Sequence, residues 1–322
     1  MDHTEHPGVP QRPPASALFN INSIDRYASS ANPVAQYAPI TTPPTSATGL
    51  IPYANNYNMS LGRPLLSGYF TRLGVTQVQL DWEIPTIVNN VNDALYMLND
   101  TSGTSINITL TPGFYNGTTL AAMIQTRLIA GWATAGAPIP GLTVTYQSST
   151  NSLTFSAGGA ISFHFAIPTA YAQLGANPPS RWLKTFNSLG LSYRNTQTAP
   201  GQLTNSIKLI YTSYIDIISR KLTQYMRVKD SETSWNPDTA VLCRIYLTPP
   251  NQRLIADASG NGLGSQPFTL CVDPNTPKHI KWSPDQFVYD FDIQVNDEFG
   301  DLLPWSQAYP FEFQMTLLAS ET

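Results

Sequence analysis

The chain has 322 residues, of which 42% are hydrophobic and only 12% charged, with a formal net charge of −4 at pH 7. That length holds one large or two medium domains, and the apolar share is enough for a true core. Charge stands at about half the usual ~25%, and no Lys/Arg block occurs, which excludes nucleic acid as the main partner. Asn, Gln, Ser and Thr occupy the surface instead. Such a neutral surface repels other copies weakly and suits a subunit built into a larger assembly.

Residues 1–62 carry a dense share of the 27 prolines and no sustained period of 2 or 3.6. They read as an extended N-terminal arm with too little apolar surface to order itself. No basic-then-apolar leader and no apolar run of about 18 residues is seen, so neither a secretion signal nor a membrane span is expected. Inside the arm lies "FNINSIDRY" (19–27), where Phe19 and Ile21 alternate with Asn20 and Asn22 before Asp25, Arg26 and Tyr27. A linker does not need such a block, whereas a segment that docks onto something does. Alternation of this kind suits strand addition at an exposed sheet edge, with Asp25 and Arg26 setting register. The two courses open to it are docking under neighbouring subunits and folding back on its own domain.

The pattern changes at "LLSGYFTRLGVTQVQLDWEI". From Thr76, the residues Val78, Leu80, Trp82 and Ile84 alternate with Gln77, Gln79, Asp81 and Glu83, predicting a half-buried strand that Pro85 ends. "DALYMLN" reads as its short neighbour. "INITLTPGFYNGTTLAAMIQTRLIAG" is a strand, a Pro-Gly turn and a helix whose apolar stripe is Leu120, Met123, Ile124 and Leu128. Asn116 or Thr118 caps its start and Gly131 suits its end. "LTVTYQSSTNSLTFSA" is a hairpin turning near Thr150-Asn151, and "ISFHFAI" is one more strand. These elements form an inserted strand–helix–hairpin lobe over 105–167. Strands follow in "SIKLIYTSYIDIIS", "VLCRIYL" and "FTLCV", and a closing hairpin pairs "FVYDFDIQV" with "FEFQMTLL". Many short strands, long loops and one modest helix add up to an all-β chain: a single jelly roll (β-sandwich) over 63–322, with a small α/β insertion and the extended arm.

Chemistry is sparse. The acidic run with Asp290, Asp292, Asp297, Glu298 and Asp301 has the oxygens a hard cation wants, but not the ligand spacing of an EF-hand. It reads as a solvated strand face and turn. "SGNGLGSQ" lacks the helix and Lys/Ser pair of a phosphate loop. His164 alternates with Phe163 and Phe165 and reads as structural or exposed, and Cys243 as a buried thiol. With Cys271 it makes neither a zinc set nor a disulfide framework. Triplets of the glycosylation type at Asn58, Asn99, Asn107 and Asn116 read as accidents of composition. No catalytic, cofactor or metal residues are expected, and no enzyme.

The ordered series "NSIDRY", "IPTIVNNVNDALYM", "LTPGFYNGTTLAAMIQTRL", "LTVTYQSSTNSLTFS" and "IQVNDEFGDLLPW…FEFQMTLLASE" resembles the penton and minor capsid proteins of large icosahedral double-jelly-roll DNA viruses (giant viruses) and virophages. Ile24 stands where a basic residue is common in that family, so only Asp25 and Arg26 carry over from the first block. Pro112, Gly113 and Tyr115 match the turn before the helix, and Leu189-Gly190-Leu191 stands for a Leu-Gly-aromatic element. The resemblance implies a virion protein, made and assembled in the host cytoplasm. It implies a homopentamer filling five-fold vertices, with major and minor capsid proteins as partners and a vertex fibre or host receptor as a further contact. Two alternatives stand beside the penton: a minor (cement) protein between or beneath capsomers, and a carbohydrate- or receptor-binding β-sandwich using Trp82, Trp132, Trp182, Trp235, Trp282 and Trp305.

Overall fold

The computed structural model describes residues 16–23, 55–60, 64, 70–158, 161–168, 180–191, 202–224, 240–247, 264–273, 279–283, 287–304 and 311–321. Alternation builds the first sheet. In β3 (Arg72–Trp82) Val78, Leu80 and Trp82 are buried, while Gln77, Gln79 and Asp81 face out. On one flank β3 pairs with β15 (Phe311–Ser320), which pairs in turn with β1 (Ser16–Asn22) at the edge. On the other flank lie β12 (Phe268–Val272) and β13 (His279–Lys281), on successive stretches of β3. The second sheet runs β11 (Val241–Tyr246), β10 (Tyr214–Ile218), β14 (Asp290–Asp297), β2 (Asn56–Ser60). All of these pairs are antiparallel.

The two sheets enclose one core. Ile21, Leu80, Trp82, Phe313 and Met315 from the first meet Tyr57, Ile217, Ile245, Phe291 and Ile293 from the second. With β12 and β13 counted as one position, the described strands occupy eight positions, ordered 1-8-3-6 in one sheet and 5-4-7-2 in the other. That order is a jelly roll.

The connection from β3 to β10 holds a second core. It contains β4 (Ala94–Asn99), β5 (Ser105–Thr109), α1 (Gly117–Thr134), β6 (Thr143–Gln147), β7 (Ser152–Ser156), β8 (Phe163–Phe165), α2 (Ser180–Leu189) and β9 (Gln202–Leu203). Two small sheets, β5-β4-β8 and β6-β7-β9, pack with the helices around Leu95, Leu120, Ile124, Trp132, Phe155 and Phe186. Asn116 caps α1: its side chain accepts from the Thr119 N–H, and the Thr119 hydroxyl accepts from the Asn116 N–H.

Several expectations need correction. Within the expected arm over 1–62, the described segments β1 and β2 are not outside the sandwich but supply its first two strand positions. Each is short, and its partner lies hundreds of residues away, so local composition hid them. The lobe extends well beyond 105–167, since its core runs from Ile87 to Leu209. β4 pairs with β5 and β8, not with β3. The closing strands β14 and β15 are not a hairpin, for they lie in facing sheets. Alternation fixes which face of a strand is apolar but not which strand lies beside it. Upstream of β14 the phase slips, so that Val288 is buried and Phe287 and Tyr289 are exposed. Gly131 lies within α1, where a Cβ would come 2.6 Å from Ile108. Gly136, at φ +68°, takes the left-handed position after the helix instead.

Candidate functional site

The acidic run is divided between two structural jobs. Asp292 accepts from Ser219 Oγ at 2.9 Å and from the Arg220 and Lys221 N–H groups at 3.1 and 2.8 Å, closing the turn after β10. Asp290 pairs with Lys221. Asp297, at the far end of β14, is fully buried. Its Oδ2 lies 2.6 Å from Lys184 Nζ, and its Oδ1 accepts from the N–H groups of Phe299 (3.0 Å) and Asp301 (3.1 Å). Asp301 adds a second carboxylate to Lys184 at 2.8 Å, and Glu298 accepts from Asn187 Nδ2 at 2.8 Å. Among the described residues no group of His, Cys, Asp or Glu is arranged to hold a metal ion.

Lys184 and Asn187 belong to α2, which the sequence reading missed. Its buried Trp182, Phe186 and Leu189 recur at helical spacing, the signal that finds it. A lysine this deep, 4% exposed, is tolerated only when paired. Burial pushes the Asp297 carboxyl above its usual range, and the Lys184 ammonium pulls the other way. Burial, and then the neighbouring Asp297, raise Tyr211 well above an ordinary phenol. Lys184 Nζ also lies 5.7 Å from the Tyr211 ring centroid and 5.4 Å from that of Phe299. The helix stops at Gly190 (φ +68°), with Leu191 N–H bonding Phe186 O at 2.8 Å and Gly190 N–H bonding Asn187 O at 3.4 Å. These two bonds make a Schellman end.

The same helix is tied to the start of the lobe. Arg181 Nε bonds Asp93 Oδ1 at 2.7 Å, and Asn92 Nδ2 bonds Thr86 O and Ser188 Oγ at 2.8 and 3.2 Å. Thr86 Oγ1 accepts from the Tyr115 N–H and donates to Gly264 O. The segment "IPTIVNNVNDALYM" is therefore a buried polar joint linking the lobe to the jelly roll. Its side chains position the lobe, α2 and the segment at Gly264 against one another. A cleft of ≈ 400 Å³ between α2 and the turn after β14 is lined by Leu183, Phe186, Asn187, Leu191, Glu298 and Phe299. The two polar members, Asn187 and Glu298, bond each other.

Of the docking block, Ile21 is 1% exposed in the jelly-roll core, and Phe19 packs edge-on to Phe291 with ring centroids 5.8 Å apart. Both sit on the chain's own sheet. Asp25, Arg26 and Tyr27 lie outside the described residues. His164 Nδ1 contacts Asp100 Oδ1 at 2.7 Å, a local tie between β8 and the β4–β5 turn. Trp82, Trp132, Trp182 and Trp282 are all buried, which removes them as sugar platforms, and Trp235 and Trp305 lie outside the described residues. The outer face of the second sheet instead carries an aromatic and arginine cluster. Arg244 forks onto buried Asp216 at 2.7 and 2.8 Å and lies 4.0 Å over the Tyr214 ring, beside exposed Tyr246. The hydrogen bonds to Asp216 raise the Arg244 pKa further.

Among solved structures, the chain is similar to the mavirus penton protein at 11% identity and a TM-score of 0.47, over 96% of this chain and 100% of the other. It is also similar to a chain of the Sputnik virophage structure at 14% identity and a TM-score of 0.44, over 96% and 98%. No protein-family model matches the chain, and no curated protein does.

Proposed function

We propose that this chain is a structural capsid protein, and that its finer role is the penton: a homopentamer at the five-fold vertices of an icosahedral virion. It would contact the major and minor capsid proteins around it. The observation that carries the reading is the complete jelly-roll order, 1-8-3-6 over 5-4-7-2, with its third-to-fourth connection expanded into a lobe. A fold alone names no function. The functional step comes from the motifs whose ordered series resembles the penton and minor capsid proteins. Two of them fall at structural joints: Asn92 and Asp93 at the root of the lobe, and Asp297 to Asp301 at the turn that grips α2.

Surface chemistry supports assembly. A closed head-to-tail ring uses two different patches on each subunit. A charged share of 12% lowers the desolvation cost of bringing such patches together. Tyr214, Arg244 and Tyr246 lie at the β11 edge of the second sheet and are residue types enriched in interfaces. Arg244 is already held by Asp216, so little side-chain entropy is lost when a neighbour covers it. The lobe gives a vertex fibre or host receptor a place to bind.

Localisation in the virion tests this reading. The expected result is density for this chain in rings at the five-fold vertices. Density between or beneath capsomers would make it a minor (cement) protein and refute the penton role. Absence from the particle would refute the capsid role altogether.

A further inference from the structure

We propose that β1 is exchanged between subunits, the Ser16–Asn22 strand of one copy completing the first sheet of the next. The inference rests on the reading of the chain as a ring-forming subunit and names the element that joins the ring. Among the described strands β1 is an edge strand with one neighbour, β15, in register from Ser16 opposite Ser320 to Asn22 opposite Gln314. Ile21 anchors it in the core, with Ala17 and Phe19 packed partly against that core. Polar contacts to β15 add to this: Thr316 Oγ1 donates to Asn20 Oδ1 at 2.9 Å, and Ser23 Oγ, just past the strand, accepts from the Phe313 N–H at 2.9 Å and donates to Glu312. None of these contacts depends on which copy supplies the strand.

The covalent path does not tie β1 to its own sheet. Between Ser23 and Asn55 the sequence has 31 residues, five of them proline. Facing sheets pack about 10 Å apart, and connections of roughly 2–6 residues normally suffice. Thirty-one residues reach about 100 Å when extended, whereas a compact domain of this length is roughly 50 Å across. The chain outside the described residues is therefore long enough to cross into an adjoining subunit.

The receiving edge must be filled in any case. Without β1, the Gln314–Ser320 stretch of β15 would present an open ladder beside the buried Met315 and Leu317, an edge of the kind that proteins protect. Closing on its own sheet gives β1 an effective concentration on the order of millimolar. Subunits held side by side offer the neighbour's β15 at a similar concentration, and each exchange then links two subunits. Exchange of an identical element is a low-cost route to assembly.

Cross-linking of the full-length chain decides the matter. In a Cys271→Ser background, with Cys243 buried, Asn20→Cys and Thr316→Cys place thiols at directly opposed positions of β1 and β15. When the two single variants are co-expressed and oxidised, exchange predicts a disulfide-linked dimer on a non-reducing gel. The double variant should give a ladder up to the ring size. A double variant that closes its disulfide within one chain, in a sample that native mass spectrometry shows to be oligomeric, overturns the exchange and leaves the ring reading standing. A monomer by native mass spectrometry overturns both. Absence of any disulfide in the double variant means that β1 is not seated on β15, and it overturns the exchange as well.

Discussion

Lys184 shows how much one residue can hold. It lies between the lobe and the jelly roll with Asp297 and Asp301 as partners, and Asp297 has no exposed surface. Removing one member of such a buried pair typically costs about 3–5 kcal/mol, mostly through the charge left behind. Lys184→Met should therefore lower the unfolding free energy measured by urea titration by that amount. Adding Asp297→Asn, which keeps the oxygen that accepts from Phe299 and Asp301, should recover most of the loss. The raised Asp297 pKa also sets a sign. Its native carboxyl keeps the proton to higher pH than in the unfolded chain, so its contribution is fullest below the ordinary aspartate value. That contribution declines as pH rises through the native value. The stability of the native chain relative to Asp297→Asn should thus fall as pH rises across that window; a flat or rising difference would contradict the assignment.

At the scale of elements, edge strand and helix end offer the clearest contrasts. Ile21 and Leu18 sit three residues apart on β1, the first in the core and the second 69% exposed. Ile21→Ala should cost about 2–5 kcal/mol, while Leu18→Ser should stay within about 0.5 kcal/mol. Equal effects would mean that β1 is not seated in this phase. Gly190 ends α2 at φ +68°, and a Cβ there would lie 2.3 Å from Asn205 O. Gly190→Ala should loosen the lobe and lower the melting temperature by several degrees, more than Gly136→Ala, which has the same φ but open space around it. The alternation of Val78, Leu80 and Trp82 and the capped stripe of α1 were legible in the sequence, because both patterns are local. Which strand lies beside which was not, since β14 and β15 bury their apolar faces against opposite sides of one core. The polar joint was hidden for a related reason. Thr86, Asn92 and Lys184 are ordinary surface residue types, and only tertiary contact makes them interior.

For the whole molecule, the jelly roll and the lobe are two hydrophobic cores joined by buried polar groups around α2. This construction fixes the lobe on the sandwich. Of the acidic run that looked most like chemistry, Asp297, Glu298 and Asp301 hold the joint and Asp290 and Asp292 the turn after β10, while Phe19 and Ile21 of the docking block lie on a sheet. Among the described residues the exposed aromatic side chains include Tyr246, Phe287 and Tyr289, in a chain of which only 12% is charged. A subunit of this kind should associate through several modest patches, without a single dry face. Native mass spectrometry of the purified full-length chain across a concentration series tests that claim most directly. The predicted result is a species of about 176 kDa, five copies of the 35.3 kDa chain, whereas a chain that stays at the monomer mass at the highest concentration would contradict it.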